Sequence, residues 1–211
     1  MIAPLTALIV WYGSWPFAVL LVLLCGISLY EWFNVSRRTQ SFAMFASFGL
    51  VYVIGSFLCA YLIRDTMGLS LSLMFLCMVW SSDIGAYFTG KIIGGPKMSP
   101  TISPNKTWAG MAGAVFFPAL VAVIWVTLDQ ILPLGADVSP ITYAKIVAGG
   151  MAIGIFGQIG DLMISFIKRK AGVKDSGNLI PGHGGLLDRI DSMLLAMPVF
   201  LVIAELVFYV R

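Results

Sequence analysis

The chain has 211 residues, of which 59% are hydrophobic and only 11% charged, with a net charge of +3. A mean hydropathy of +0.95 lies outside the range of soluble globular domains and points to an integral membrane protein. The 13 basic residues are too few, and too clustered at segment ends, for a nucleic-acid surface.

A membrane-crossing helix needs about 20 apolar residues. Six stretches meet that length: Trp15–Phe33, Phe42–Ile63, Leu69–Thr89, Trp108–Leu132, Tyr143–Gly160 and Met193–Val210. Residues 2–12 are apolar but short, either a half-helix or an extension of the first span beyond Pro16. The predicted fold is all-α, a polytopic membrane helical bundle of about six to seven spans. Residues 1–211 are expected to form one integral membrane domain, with N-terminal spans over 1–66 and catalytic spans and loops over 67–211. No basic segment precedes the first span, so a cleavable secretory signal is not expected. Cys25, Cys59 and Cys77 lie in apolar stretches without CxxC spacing and read as small hydrophobes.

With six spans, ten of the 13 basic residues fall in loops on one side. These are Arg37, Arg38, Lys91, Lys97, Lys106, Lys168, Arg169, Lys170, Lys174 and Arg189. Cytoplasmic loops retain Lys and Arg, so both chemically rich loops, 90–107 and 165–191, are expected to face the cytoplasm.

Asp83 lies inside the third span beside Ser81 and Ser82. Exposure to lipid would be costly, so it is expected to face the bundle interior. The next loop ends in Ser103-Pro104-Asn105-Lys106-Thr107-Trp108, placing Lys106 and Thr107 at a helix start where free amides favour an anion. In the fifth span Gly150 and Gly154 form a GxxxG pair, which reads as close helix packing.

Residues 161–191 hold nine of the 23 formal charges and the sole histidine. Charge concentrated in so apolar a protein marks a working site. Helical continuation past Gly160 would put Asp161, Ser165 and Lys168 on one face. Pro181-Gly182-His183-Gly184-Gly185 allows backbone amides to approach an anion, or forms a plain turn. Asp188 and Asp191, three residues apart, would share a helix face about a turn apart. Either a divalent cation or Arg189 and neighbouring basic residues must offset their repulsion, and a few hard oxygen ligands match Mg²⁺.

The run Ser165-x-x-Lys168-Arg169, then Lys174-Asp175, then Pro181-x-His183-Gly184-Gly185-x-x-Asp188-Arg189-x-Asp191 resembles the signature of phosphatidate cytidylyltransferases (CDP-diacylglycerol synthases). Asp83-x-Gly85-Ala86-Tyr87 and Ser103-Pro104-x-Lys106-Thr107-Trp108 resemble further segments of that family. The resemblance implies an all-helical, homodimeric enzyme of the bacterial inner membrane that makes CDP-diacylglycerol and pyrophosphate from CTP and phosphatidate, with its active site toward the cytoplasm.

The resemblance also implies a paired-cation site on Asp161, Asp188 and Asp191, with Mg²⁺ as the main metal and a second divalent ion or K⁺. Asp161, Lys168, Asp188 and Asp191 are the expected catalytic residues. Ser165, Arg169, Lys174, Asp175, His183, Gly184, Gly185 and Arg189, with Asp83, Ser103, Lys106 and Thr107, are the expected substrate contacts. Asn105 stands where a lysine is usual, and Ala109 where a glutamate is usual. Two other readings share the setting: a CTP-dependent lipid kinase, and a transporter with Asp83 on an ion path.

Overall fold

The computed structural model describes residues 10–131, 140–179 and 184–209. Six long helices follow one another: α1 (Ser14–Ser36), α2 (Phe42–Thr66), α3 (Gly68–Ile92), α4 (Trp108–Ile131), α5 (Pro140–Lys170) and α6 (Leu187–Ala204). The last widens into a π-helical turn over Glu205–Tyr209. All six are long and apolar enough to cross a membrane. The protein is therefore an all-α, polytopic integral membrane protein, as its hydropathy predicts.

Two helices run beyond the apolar spans, the fifth along the continuation past Gly160 that the sequence predicts. The fifth helix does not stop at Gly160 but runs 31 residues to Lys170, about 46 Å at 1.5 Å per residue. Its final Lys168, Arg169 and Lys170 favour the negative end of the helix dipole. Gly172, at φ +70°, then ends the helix with a double closure. Its amide donates to the Arg169 carbonyl at 3.1 Å, and that of Val173 donates to the Lys168 carbonyl at 3.0 Å, a Schellman arrangement. The sixth helix begins at Leu187 instead of Met193, so Asp188 and Asp191 are helical.

Chain contacts divide the molecule into two compact units. The first joins Met1–Leu73 with Ile159–Pro198. Within it α1 and α2 pack closely: Gly49 leaves room for the Trp32 indole, whose Nε1 donates to the Phe45 carbonyl at 2.8 Å. Phe48 and Tyr52 stack with centroids 5.4 Å apart. Pro198 inside α6 deprives the Leu194 carbonyl of its helical donor. The buried Ser56 hydroxyl approaches that carbonyl at 2.6 Å.

The second unit, Met74–Gln158 with Val199–Arg211, repeats this device. Pro118 inside α4 frees the Ala114 carbonyl, and Ser82 of α3 donates to it at 3.0 Å. Lipid offers no water to substitute, so protein must supply the missing donor. Gly150 packs against Ala119 and Gly154 against Ala114, the close approach that the GxxxG pair predicts. The polar stretch after α3 also holds an antiparallel hairpin, β1 (Lys97–Ser99) with β2 (Ser103–Thr107), which hydropathy did not reveal.

Candidate active site

The first unit gathers the end of α5, the loop after it and the start of α6. Asp161, Ser165 and Lys168 share a face of α5 as predicted, and the Ser165 hydroxyl donates to Asp161 Oδ1 at 3.1 Å. Lys168 points inward and is 8% exposed. Its ammonium meets Asp188 Oδ1 at 2.5 Å.

Asp188 Oδ2 receives the amides of Ser176 at 2.8 Å and Gly185 at 2.9 Å. The Ser176 hydroxyl lies 3.0 Å away. Three donors thus crowd Asp188 Oδ2, while Oδ1 meets Lys168.

Asp191 faces a different partner. Its carboxyl group and that of Asp161 lie within hydrogen-bonding reach, with Lys168 close enough to act on Asp191 electrostatically. Asp191 Oδ1 also accepts the Ser192 amide at 2.8 Å. Gly160 permits this approach, since a Cβ there would sit 2.8 Å from the Asp191 carbonyl oxygen.

The three aspartates thus separate into a facing pair, Asp161 and Asp191, and a single acid bonded to Lys168. Among the described residues no three His, Cys, Asp or Glu side chains gather closely enough to hold a metal ion. Two ionised carboxylates in contact repel, and a cation between them would offset that repulsion.

Two residues escaped the sequence reading. Glu31 of α1 is 3% exposed. It accepts the Leu186 and Leu187 amides, each at 2.9 Å, and the Ser176 hydroxyl at 2.8 Å. An isolated acid in a spanning helix was the available signal. Tyr52 gave no such signal. Its hydroxyl is buried with no hydrogen-bond partner among the described residues, near enough to Asp191 to feel its charge.

The glycines of the expected phosphate cradle serve this acid network. The Gly185 amide is taken by Asp188, and a Cβ on Gly185 would lie 2.5 and 2.6 Å from the Glu31 oxygens. Gly184 has φ +83°, with Asp188 Oδ2 2.9 Å from where its Cβ would be. His183, with Ile180, Pro181 and Gly182, lies outside the described residues. Arg169, Lys174, Asp175 and Arg189 are exposed around the buried acids.

Asp83, Ser103, Lys106 and Thr107 belong to the second unit. Thr107 is buried and its hydroxyl accepts the Gly110 amide at 3.1 Å, so it caps α4 and takes up an amide that could otherwise meet an anion. Asp83 is exposed, contrary to its expected inward orientation. Its neighbours explain this: Ser82 bonds to Ala114 and Gly85 packs on Phe117 and Gly113. Those contacts put Ser82 and Gly85 on the face of α3 that meets α4, with Asp83 off that face.

Residues 36–207 match the model of the Cytidylyltransferase family. The chain is 38% identical to a phosphatidate cytidylyltransferase of Rickettsia bellii over 87% of its length and 78% of the relative's. For the Rickettsia felis protein of the same name the identity is 36%, over 94% and 85%. For that of Bacillus subtilis it is 43%, over 64% of this chain and 47% of the longer relative.

Proposed function

The chain belongs to the cytidylyltransferase family, and on that premise we propose that it is a membrane-embedded phosphatidate cytidylyltransferase. It joins CTP to phosphatidate, giving CDP-diacylglycerol and pyrophosphate for phospholipid synthesis. The observation that carries the chemistry is the Asp161–Asp191 pair standing beside the buried Lys168–Asp188 ion pair.

In this reaction a phosphatidate oxygen forms a bond to the α-phosphorus of CTP. The bond from that phosphorus to the oxygen bridging to the β-phosphate breaks, and the electron pair leaves with pyrophosphate. A phosphomonoester with a second pKa of about 6 is already largely ionised at neutral pH, so no general base is required. The difficulty is bringing two anions together, which calls for neutralisation and alignment.

The residues fit a divalent cation at one place. Asp161 and Asp191 present hard oxygens to each other, and the buried Tyr52 hydroxyl beside them has no partner among the described residues. Asp188 stands beside this pair, with Oδ2 held by Ser176 and Gly185 and Oδ1 meeting Lys168, and is proposed as a further oxygen ligand through Oδ1. Mg²⁺ held by Asp161 and Asp191 would neutralise triphosphate charge and withdraw electrons from the α-phosphorus.

Lys168 keeps its ammonium beside these acids. Arg169, Lys174 and Arg189 offer exposed cations for phosphate oxygens, and Ser165 orients Asp161. Ser103 and Lys106 are proposed as substrate contacts on the family resemblance alone.

The basic-residue bias supports an active site facing the cytoplasm of a bacterial inner membrane. A homodimer is proposed with it, as the family resemblance implies. Purified protein given phosphatidate, Mg²⁺ and CTP labelled at the α- or the γ-phosphate tests the reaction. Transfer of the α-label into lipid is expected; transfer of the γ-label would mark a kinase and overturn the proposal.

A further inference from the structure

We infer that Glu31 is a positioning residue for cytidylyl transfer, holding the loop between α5 and α6 so that Asp188 and Lys168 keep their places beside the Asp161–Asp191 pair. The inference rests on the proposed function. Glu31 lies in an apolar spanning helix and is 3% exposed, where an unpaired carboxylate would be strongly unfavourable. Donors to Glu31 come from the loop and from the first turn of α6.

The Leu186 and Leu187 amides, each 2.9 Å from Glu31, sit where a starting helix leaves its N–H groups without partners. Glu31 therefore caps α6 from another helix, and its negative charge complements the positive end of that helix. The cap fixes the turn that carries Asp188.

Ser176 extends the connection. Its hydroxyl lies 2.8 Å from Glu31 Oε2 and 3.0 Å from Asp188 Oδ2. One hydroxyl has one proton to donate, so the two carboxylates share it. The amide of the same residue is fixed on Asp188 at 2.8 Å. A displacement of Glu31 thus alters the donor set of Asp188, and through the 2.5 Å ion pair the position of Lys168.

Glycines shape the pocket around this acid. A Cβ at Gly177 would lie 2.8 Å from Glu31 Oε1, and one at Gly185 2.6 Å from it. The loop is built to close on a carboxylate.

The test uses the full chain in detergent or liposomes, with Glu31→Gln, Ser176→Ala and the double variant. Turnover from α-labelled CTP is normalised to folded protein measured by thermal unfolding. Each single variant is expected to lower kcat by roughly tenfold or more, the scale of a lost hydrogen bond to a charged group. The KM for CTP should change by less than about threefold, because Glu31 is placed on the loop and not on substrate. The double variant should lose less than the product of the two single losses, as coupled positions do.

Folded Glu31→Gln protein with wild-type kcat, or losses that simply multiply, would overturn the inference. If Glu31→Gln does not fold, Ser176→Ala decides alone, and wild-type kcat there overturns it. Absence of turnover in the wild-type chain would instead overturn the proposed function, and this inference with it.

Discussion

Lys168 of α5 and Asp188 of α6 form a buried ion pair at 2.5 Å across 20 residues of chain. The pair ties the end of one helix to the start of another on the acid side of the site. Removing one partner leaves the other charged and buried, which costs about 3–5 kcal/mol.

Asp188→Asn and Lys168→Met are therefore expected to lower the unfolding temperature and to remove most turnover. The double change Lys168→Met with Asp188→Asn should recover part of the stability lost by Lys168→Met alone and none of the activity, since an amide oxygen at 188 still accepts the Ser176 and Gly185 amides. Thermal unfolding and label transfer on the same preparations check both halves.

Ser82 serves a carbonyl that a proline has orphaned, and Ser56 shares its one proton between another such carbonyl, Leu194, and that of Tyr52. Ser82→Ala leaves Ala114 without that donor in a water-free setting and should cost about 1–3 kcal/mol. Ser56→Ala should act similarly on Leu194. Replacing Pro118 by alanine restores the helical N–H, so Pro118→Ala with Ser82→Ala should be more stable than Ser82→Ala alone. Chemical unfolding in detergent gives the comparison.

The Tyr52 hydroxyl makes no hydrogen bond among the described residues, while its ring stacks on Phe48. Tyr52→Phe keeps the ring and is expected to leave the unfolding temperature of ligand-free protein unchanged or slightly raised. Turnover should fall by roughly tenfold, the value of one hydrogen bond to a charged group. Unchanged turnover would remove Tyr52 from the site.

Spanning helices were legible because long apolar runs have few alternatives in lipid. The beginning of α6 was not, since Asp188, Arg189 and Asp191 lower local hydropathy although they are helical. Helical spacing correctly put Asp161, Ser165 and Lys168 on one face. It also put Asp188 and Asp191 on one helix, but not which partner each carboxylate meets.

That depends on contacts distant in sequence: Ser176 and Gly185 for Asp188, and Asp161 for Asp191. Glu31 was hidden for the same reason, because all three of its donors come from more than 140 residues away. Asp83 shows the limit of hydropathy in the other direction: an acid within an apolar segment does not reveal which side of the helix packing covers.

The most direct measurement is Mg²⁺-dependent transfer of α-label from CTP to phosphatidate by the wild-type chain and by Asp161→Asn and Asp191→Asn. Wild-type protein should form labelled CDP-diacylglycerol only when Mg²⁺ is supplied. Either substitution should reduce turnover by about 100-fold or more, the scale of lost transition-state charge stabilisation, while the protein remains folded. Near-normal transfer by both folded variants would contradict the placement of the chemistry at this carboxylate pair.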